Sequence, residues 1–254
     1  ASYKLKINDK IDLYDLNFVQ KKNKKKIYKA TKREITSTNN LFVEDNLNFA
    51  VINKPAGLAV QSGTKSKRNL IDILRYTKEF TNYSPYTVHR IDKDTSGILV
   101  VAKNRKYAQL FTSLFRIRKI HKTYLSIVLG TFDKQKGSYV DNLEHYEGDE
   151  KITTKAITHY TVLDTNNNYS LLKLNPVTGR KHQLRKQLLI HGHPVLGDQK
   201  YRITSNYNKK NNNLMLHAYK INFSINGNKY KYLAEPPLIF KQTLKEKYLK
   251  IYQL

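Results

Sequence analysis

Residues 89–97 read HRIDKDTSG, placing a histidine, an arginine, two carboxylates and two hydroxyls in one short stretch. Asp94-Thr95-Ser96-Gly97 approaches the Asp-Thr-Gly of an aspartic protease. That reaction, however, needs two carboxylates sharing a proton, supplied by two equivalent loops. The other Asp-Thr pair, Asp164-Thr165, runs into Asn166-Asn167 and reads as a hairpin turn. Metal chemistry would have to use His182, His191 and His193. Three and four residues beyond His182 stand Arg185 and Lys186, cations that oppose a metal ion, so no metal site is expected. A Gly-x-x-x-x-Gly-Lys-Ser/Thr phosphate loop and a Gly-x-Ser-x-Gly elbow are both absent. There remains the plain alternative of a polar turn before a strand, since Asp94, Thr95 and Ser96 build hydrogen-bonded turns and Gly97 permits unusual backbone angles.

What survives is Asp92, a tyrosine in KTYLS (122–126) and an arginine in GRKHQLR (179–185). An aspartate near phosphates is repelled unless an arginine pairs with it, holding it ionised and oriented. A carboxylate without a metal suits covalent or acid–base work on a sugar or base better than phosphodiester hydrolysis. The overall charge favours such a substrate: 46 Lys and Arg against 20 Asp and Glu leave a net +26. A chain this basic is expected to bind a polyanion, although runs such as KKNKKK (21–26) also fit a Lys- and Asn-rich coding bias. There are no cysteines, which excludes disulfides, thiolate metal sites and a cysteine nucleophile. No apolar run approaches the length of a membrane span, and ASYKLKINDK has no signal-peptide core, so a soluble, cytoplasmic protein is expected.

These residues need a scaffold, and strands dominate the pattern that would provide it. LNFAVINKP is a strand ended by Pro55, GILVVAKN (97–104) is apolar enough to be central, and KTYLSIVLG (122–130) is a third. Residues 156–176 read as a hairpin around Asp164–Asn168, and 214–234 as another turning at Asn226-Gly227. Helical spacing appears over 105–116 and over 181–192, the latter stopped by Gly192. Strands interrupted by a few helices, without strict alternation, give an α+β fold. Residues 1–35 differ: a strand-like pattern with an Asn-Asp turn, then a lysine-rich stretch without apolar period.

HRIDKDTSGILVVAKN resembles the His-Arg-Leu-Asp-x-x-Thr-Ser-Gly signature of RluA-type pseudouridine synthases. Further blocks follow in the same order. NKPAGLAVQSG (53–63) resembles the family's Asn-Lys-Pro-x-Gly segment, and KTYLSIVLG carries its Lys-x-Tyr. TGRKHQLRKQLLIHGHPVLGDQKY (178–201) is similar to its arginine helix and following Gly-Asp turn, and LMLHAYKINF to a later Leu-His-Ala strand. The resemblance spans about Leu41 to Phe240. It implies a mixed, mainly antiparallel central sheet with flanking helices and a catalytic cleft, filling 36–254. Residues 1–35 would be a remnant of an S4-like RNA-binding module plus a basic linker. The ordering looks most like the branch acting on large-subunit ribosomal RNA.

The implied reaction converts uridine in RNA to pseudouridine, without cofactor or metal, by a chain expected to be monomeric and to have RNA as its partner. Asp92 would be the essential carboxylate, either nucleophile or acid/base toward the ribose, with Tyr124 against the uracil and Arg185 paired to Asp92. Tyr124 could also help remove the C5 proton. Arg90 would fill the space left by the flipped uridine, and Arg180, Lys181, His182 and Gln183 would face the RNA. His89, Thr95, Ser96, Gly97, Lys122, Asp198 and Tyr201 would support the site. The substitutions Ile91 and Leu184 keep volume, whereas Lys181 and Arg202 add charge where the family usually has none, which bears on target choice. The competing class is a non-catalytic RNA-binding or ribosome-assembly protein, which would need charge but no lone carboxylate.

Overall fold

The computed structural model describes residues 7–10, 28–63, 67–203 and 213–251. Helix α1 (Lys32–Thr38) precedes strands β1 (Phe42–Asp45) and β2 (Phe49–Lys54). Then come α2 (Leu70–Leu74), β3 (Tyr86–Thr87), β4 (Ser96–Ala102), α3 (Arg105–Arg116) and β5 (His121–Leu129). The long strands β6 (Lys136–Glu147) and β7 (Glu150–Thr165) lead to β8 (Tyr169–Pro176) and α4 (Gln183–Ile190). Finally β9 (Leu216–Ile225), β10 (Asn228–Leu233) and α5 (Leu238–Glu246) complete the chain. The main path of the sheet runs β1-β2-β4-β9-β5-β8-β7-β6, with β3 beside β4 and β10 beside β9. All pairs are antiparallel except β4 with β9, so the sheet is mixed and mainly antiparallel, as expected.

Strand β4 is buried along its whole length because both its faces are covered. Its alternation divides the core. Ile98, Val100 and Ala102 meet Phe111 of α3 and Phe223 of β9, whereas Leu99 and Val101 meet Leu70, Ile73 and Leu74 of α2. A third cluster joins Leu125 and Ile127 of β5 to Leu184 and Leu188 of α4 and Phe240 and Leu244 of α5. Helix α3 begins where Asn104 accepts a hydrogen bond from the Tyr107 amide at 2.9 Å, and it covers the expected 105–116. The β9–β10 turn has both Asn226 and Gly227 at positive φ (51° and 81°), the geometry that makes Asn-Gly a tight hairpin turn.

Some elements differ from the sequence reading. The helix expected from 181 starts only at Gln183, because His182 sits in the left-handed region at φ 54°. Its far end is as expected: Gly192 at φ 80° closes the turn, with His193 N–H on the Leu188 carbonyl. Helices α2 and α5 and most of the β6–β7 hairpin carry no clear period in the sequence. The strands of the S4-like remnant and the basic run 21–26 lie outside the described residues, although Asn8 does adopt a turn conformation at φ 79°. Residues 28–35 join the same unit as the sheet. Tyr28 packs on the α2 cluster and its amide donates to Asp72 at 2.9 Å, and α1 crosses the 35/36 boundary.

Gly97 is where the segment that follows Asp92 enters the sheet, opposite Ala218 in the β4–β9 pair. It has φ 109°, and a Cβ there would stand 2.2 Å from the Ala218 carbonyl oxygen. Gly57, at φ 81°, has open space instead. Gly97→Ala is therefore expected to cost more than about 4 kcal/mol or abolish folding, and Gly57→Ala only about 1 kcal/mol of backbone strain. Urea denaturation of both variants checks this; equal losses would show that the β4–β9 approach is not the constraint.

Candidate active site

Asp92 lies in the loop from β3 to β4, and that loop is fixed from beneath. The Thr95 amide donates back to the Asp92 carbonyl at 3.2 Å. The Lys93 carbonyl accepts from the Gly57 amide and from the Lys54 ammonium, both at 2.9 Å. Lys54 is fully buried and also donates to the Pro55 and Leu58 carbonyls at 2.7 and 2.8 Å. Burial lowers its pKa to about 7, against the opposing pull of Asp94 and Asp92. The Asn-Lys-Pro block was legible in the sequence, but a lysine staple under the aspartate loop was not.

Above the loop stands Arg185 of α4. Its Nη1 donates to Asp92 Oδ2 at 3.1 Å. Its Nε and Nη2 grip Asp198 at 2.6 and 2.8 Å. Burial works against the guanidinium charge, but the bonds to Asp198 and then Asp92 outweigh it and push the pKa further up. Asp198 also accepts the Lys200 and Tyr201 amides, so it closes the turn that follows, as expected. The Tyr201 ring packs 5.1 Å from the Arg185 guanidinium and its hydroxyl meets His182 Nδ1 at 2.9 Å. His182 Nε2 is 3.7 Å from Asp92 Oδ1. Burial lowers the His182 pKa despite that carboxylate, so the ring beside Asp92 is neutral near pH 7.

Tyr124 is on β5. Burial, and next the Asp92 charge, raise its pKa, so its hydroxyl stays protonated. Lys122, two residues earlier and on the same face of the strand, has its pKa lowered by burial. Asp92, Tyr124 and Arg185 all line one pocket of about 580 Å³, together with Arg90, Lys122, Arg180 and His182. The sequence trio thus converges on one cavity. Thr95 borders it with its hydroxyl buried and unpartnered.

Other expected site residues serve the fold. Gln183 borders the pocket, and its amide is fully bonded to its neighbours. Its oxygen accepts from Arg180 N–H and the Thr178 hydroxyl, and its nitrogen donates to the Ile157 carbonyl and the Thr158 hydroxyl. With both atoms of its amide bonded, it latches the loop after β8 to β7. Ser96 bonds His217 Nδ1 at 2.9 Å, while His217 Nε2 meets the Ala234 carbonyl at 2.8 Å. His89 accepts the Val100 amide through Nε2 at 2.8 Å and stacks on Phe115 at 4.5 Å, which makes it structural. Lys181 is exposed beside the pocket. Among the described residues no three His, Cys, Asp or Glu side chains converge as a metal site.

A carboxylate fixed by arginine, a neutral tyrosine and a ring of cations around a nucleotide-sized cavity define an enzyme that works on a polyanionic substrate. Known structures share the fold: Human RNA Pseudouridylate Synthase Domain Containing 4 superposes with a TM-score of 0.75 over 86% of this chain and 97% of its own, at 23% identity. The family model described as RNA pseudouridylate synthase matches residues 48–189. The ribosomal large subunit pseudouridine synthase C of Buchnera aphidicola is 34% identical, covering 96% of this chain and 81% of the relative. The protein of that name from Rickettsia conorii is 36% identical, covering 96% and 84%. The chain belongs to the RNA pseudouridylate synthase family.

Two outcomes follow from the charges. Asp198→Asn removes the principal counter-charge of buried Arg185 and is expected to cost about 3 kcal/mol, whereas Asp92→Asn at the open end costs within about 1 kcal/mol. Urea unfolding compares them, and equal costs would contradict the ranking. Burial also lowers His217 to about 4 and His89 to about 3. Unfolded, both titrate near 6.5. Between about pH 6.5 and 4 the unfolded chain therefore binds more protons, so stability is present above that window and lost as pH falls through it. His217→Asn should flatten the fall of melting temperature between pH 7 and 4.5; an unchanged slope would refute the assignment.

Proposed function

We propose that the protein isomerises uridine to pseudouridine in large-subunit ribosomal RNA, with Asp92 as the reacting carboxylate. The observation that carries this is the Asp92–Arg185 bond at 3.1 Å inside the pocket that also holds Tyr124. The names of the relatives support the ribosomal target. In the reaction the bond from uracil N1 to ribose C1′ breaks, the base turns, and C5 bonds to C1′. The C5 proton departs and N1 gains one, so atoms balance without oxidant or cofactor.

The target base has to leave its stack to reach a carboxylate inside a pocket. Arg90, exposed at the mouth, takes the vacated place, and Arg180 and Lys181 meet the neighbouring phosphates. Asp92 either adds to C1′ or takes a proton from the ribose. Both routes use the carboxylate that the Arg185 hydrogen bond holds in place. Tyr124 offers a flat face for the uracil, and its hydroxyl works as a neutral group because burial disfavours phenolate. That argues against an unassisted phenolate as the base for C5. His182, neutral beside Asp92, keeps a polar neighbour at the carboxylate without adding a full charge. One chain carries this whole set, so a monomer acting on RNA in the cytoplasm suffices. No helix among the described residues is long and apolar enough to cross a membrane.

Asp92→Asn is expected to bind a large-subunit ribosomal RNA transcript within about threefold of the parent while losing more than about 10³-fold in isomerisation. Tritium release from C5-labelled uridine measures the rate, and an undiminished rate in the variant would overturn the role of Asp92. Tight binding by the parent without any pseudouridine formed would favour a binding protein instead.

A further inference from the structure

The pocket has a second basic wall that no motif marks. Residues 116–122 read RIRKIHK, with four cations and no acid. Arg116, the last residue of α3, and Arg118, in the turn from α3 to β5, both line the cavity that holds Asp92, whereas Arg180 comes from the loop after β8. Both arginines are exposed, and neither makes an ion pair or side-chain hydrogen bond among the described residues. The turn itself is firmly built. The Arg118 amide donates to the Phe115 carbonyl at 3.2 Å and the Lys119 amide to the Leu114 carbonyl at 2.9 Å. Phe115 stacks on His89, three residues before Asp92, and Ile120 is buried on the other side. The arginines therefore stand on a tip anchored directly to the catalytic loop.

Arg118 occupies the left-handed position of this helix-ending turn, at φ 59°. Glycine is favoured there, because a Cβ strains the backbone. Helix α4 uses Gly192 at the equivalent point, while α5 tolerates Tyr248 at φ 55°. A side chain there is thus permitted but unfavourable, and Arg118 spends it on the pocket mouth. Clustered like charges around one cleft also repel each other in the free protein. Both costs are relieved when a polyanion enters.

We propose that Arg116 and Arg118 form a phosphate clamp that holds RNA next to the flipped nucleotide, on a wall separate from Arg180 and Lys181. Guanidinium groups suit this because each can bind two phosphate oxygens at once. The clamp rests on the reading that the cleft takes RNA. It sets which strand geometry around the target uridine can dock, through backbone contacts rather than base contacts.

The test is binding of a large-subunit ribosomal RNA transcript over a series of salt concentrations, alongside thermal melting. Arg118→Gly should melt at the same or a higher temperature, yet bind RNA about three- to tenfold more weakly near 0.1 M salt. The slope of log affinity against log salt should flatten by about one unit, and by about two in Arg116→Ala/Arg118→Gly. Arg118→Asn, which tolerates the same backbone, should weaken binding equally and guards against a folding effect of glycine. Unchanged affinity and slope in these variants would overturn the clamp. Pseudouridine formation by the parent in the same transcript reads the proposed activity separately. If the parent forms none, that activity fails while the slopes still judge the clamp.

Discussion

Arg185 is the piece on which the site depends, because it is a buried cation shared unequally between two carboxylates. Asp198 takes the planar, two-bond side of the guanidinium and is itself buried, whereas Asp92 takes a single bond at the open end. Burying an ionised arginine alone would be prohibitive, and the Asp198 pair with its backbone donors offsets that cost. With one charge neutralised inside, one remains, and it is delivered to the pocket on Asp92. The arrangement separates holding from reacting. Asp198 supplies the rigidity so that Asp92 keeps a free face for chemistry.

The same loop is held from below by Lys54. Two buried basic side chains thus work on neighbouring residues of one segment: the Lys54 nitrogen on the Lys93 carbonyl and the Arg185 guanidinium on the Asp92 carboxylate. Backbone grip and side-chain grip together leave Asp92 little freedom, which is what a reaction sensitive to ångström-scale placement requires. The surrounding cations at the mouth then counter the repulsion that a carboxylate exerts on an approaching phosphate chain.

Much of this was legible in the residues, for identifiable reasons. The strands with strong apolar content and the helix over 105–116 announced themselves by period, and the Asp92–Tyr124–Arg185 set by residue type and order. Chemistry of this kind survives translation from sequence because it depends on identity more than on surroundings. The latch that Gln183 makes was not legible, because a polar side chain serves as well inside as outside; only the nearby Thr178, Ile157 and Thr158 engage its amide. His182 looked like a helix residue until its backbone turned left-handed. Lys54 was hidden for the opposite reason, since lysines in a chain this basic read as surface charge. The β6–β7 hairpin gave little signal because a two-stranded extension with one sparsely covered face needs no strong apolar alternation.

The parallel contact between β4 and β9 joins residues 121 apart, Ser96 and His217. Nearly everything that performs the chemistry, from Asp92 through Asp198, is therefore synthesised before the strand that seats it. During translation the aspartate loop can form early local contacts with β2, but its partner strand emerges only after the whole β5–α4 region. Contacts this distant are slow to form because loop closure precedes any gain from pairing. Strand β9 acts as the keystone, so a chain lacking it would leave Gly97 and the loop before it without the strand that seats them. Activity then depends on β9 having paired with β4, a safeguard built from topology alone.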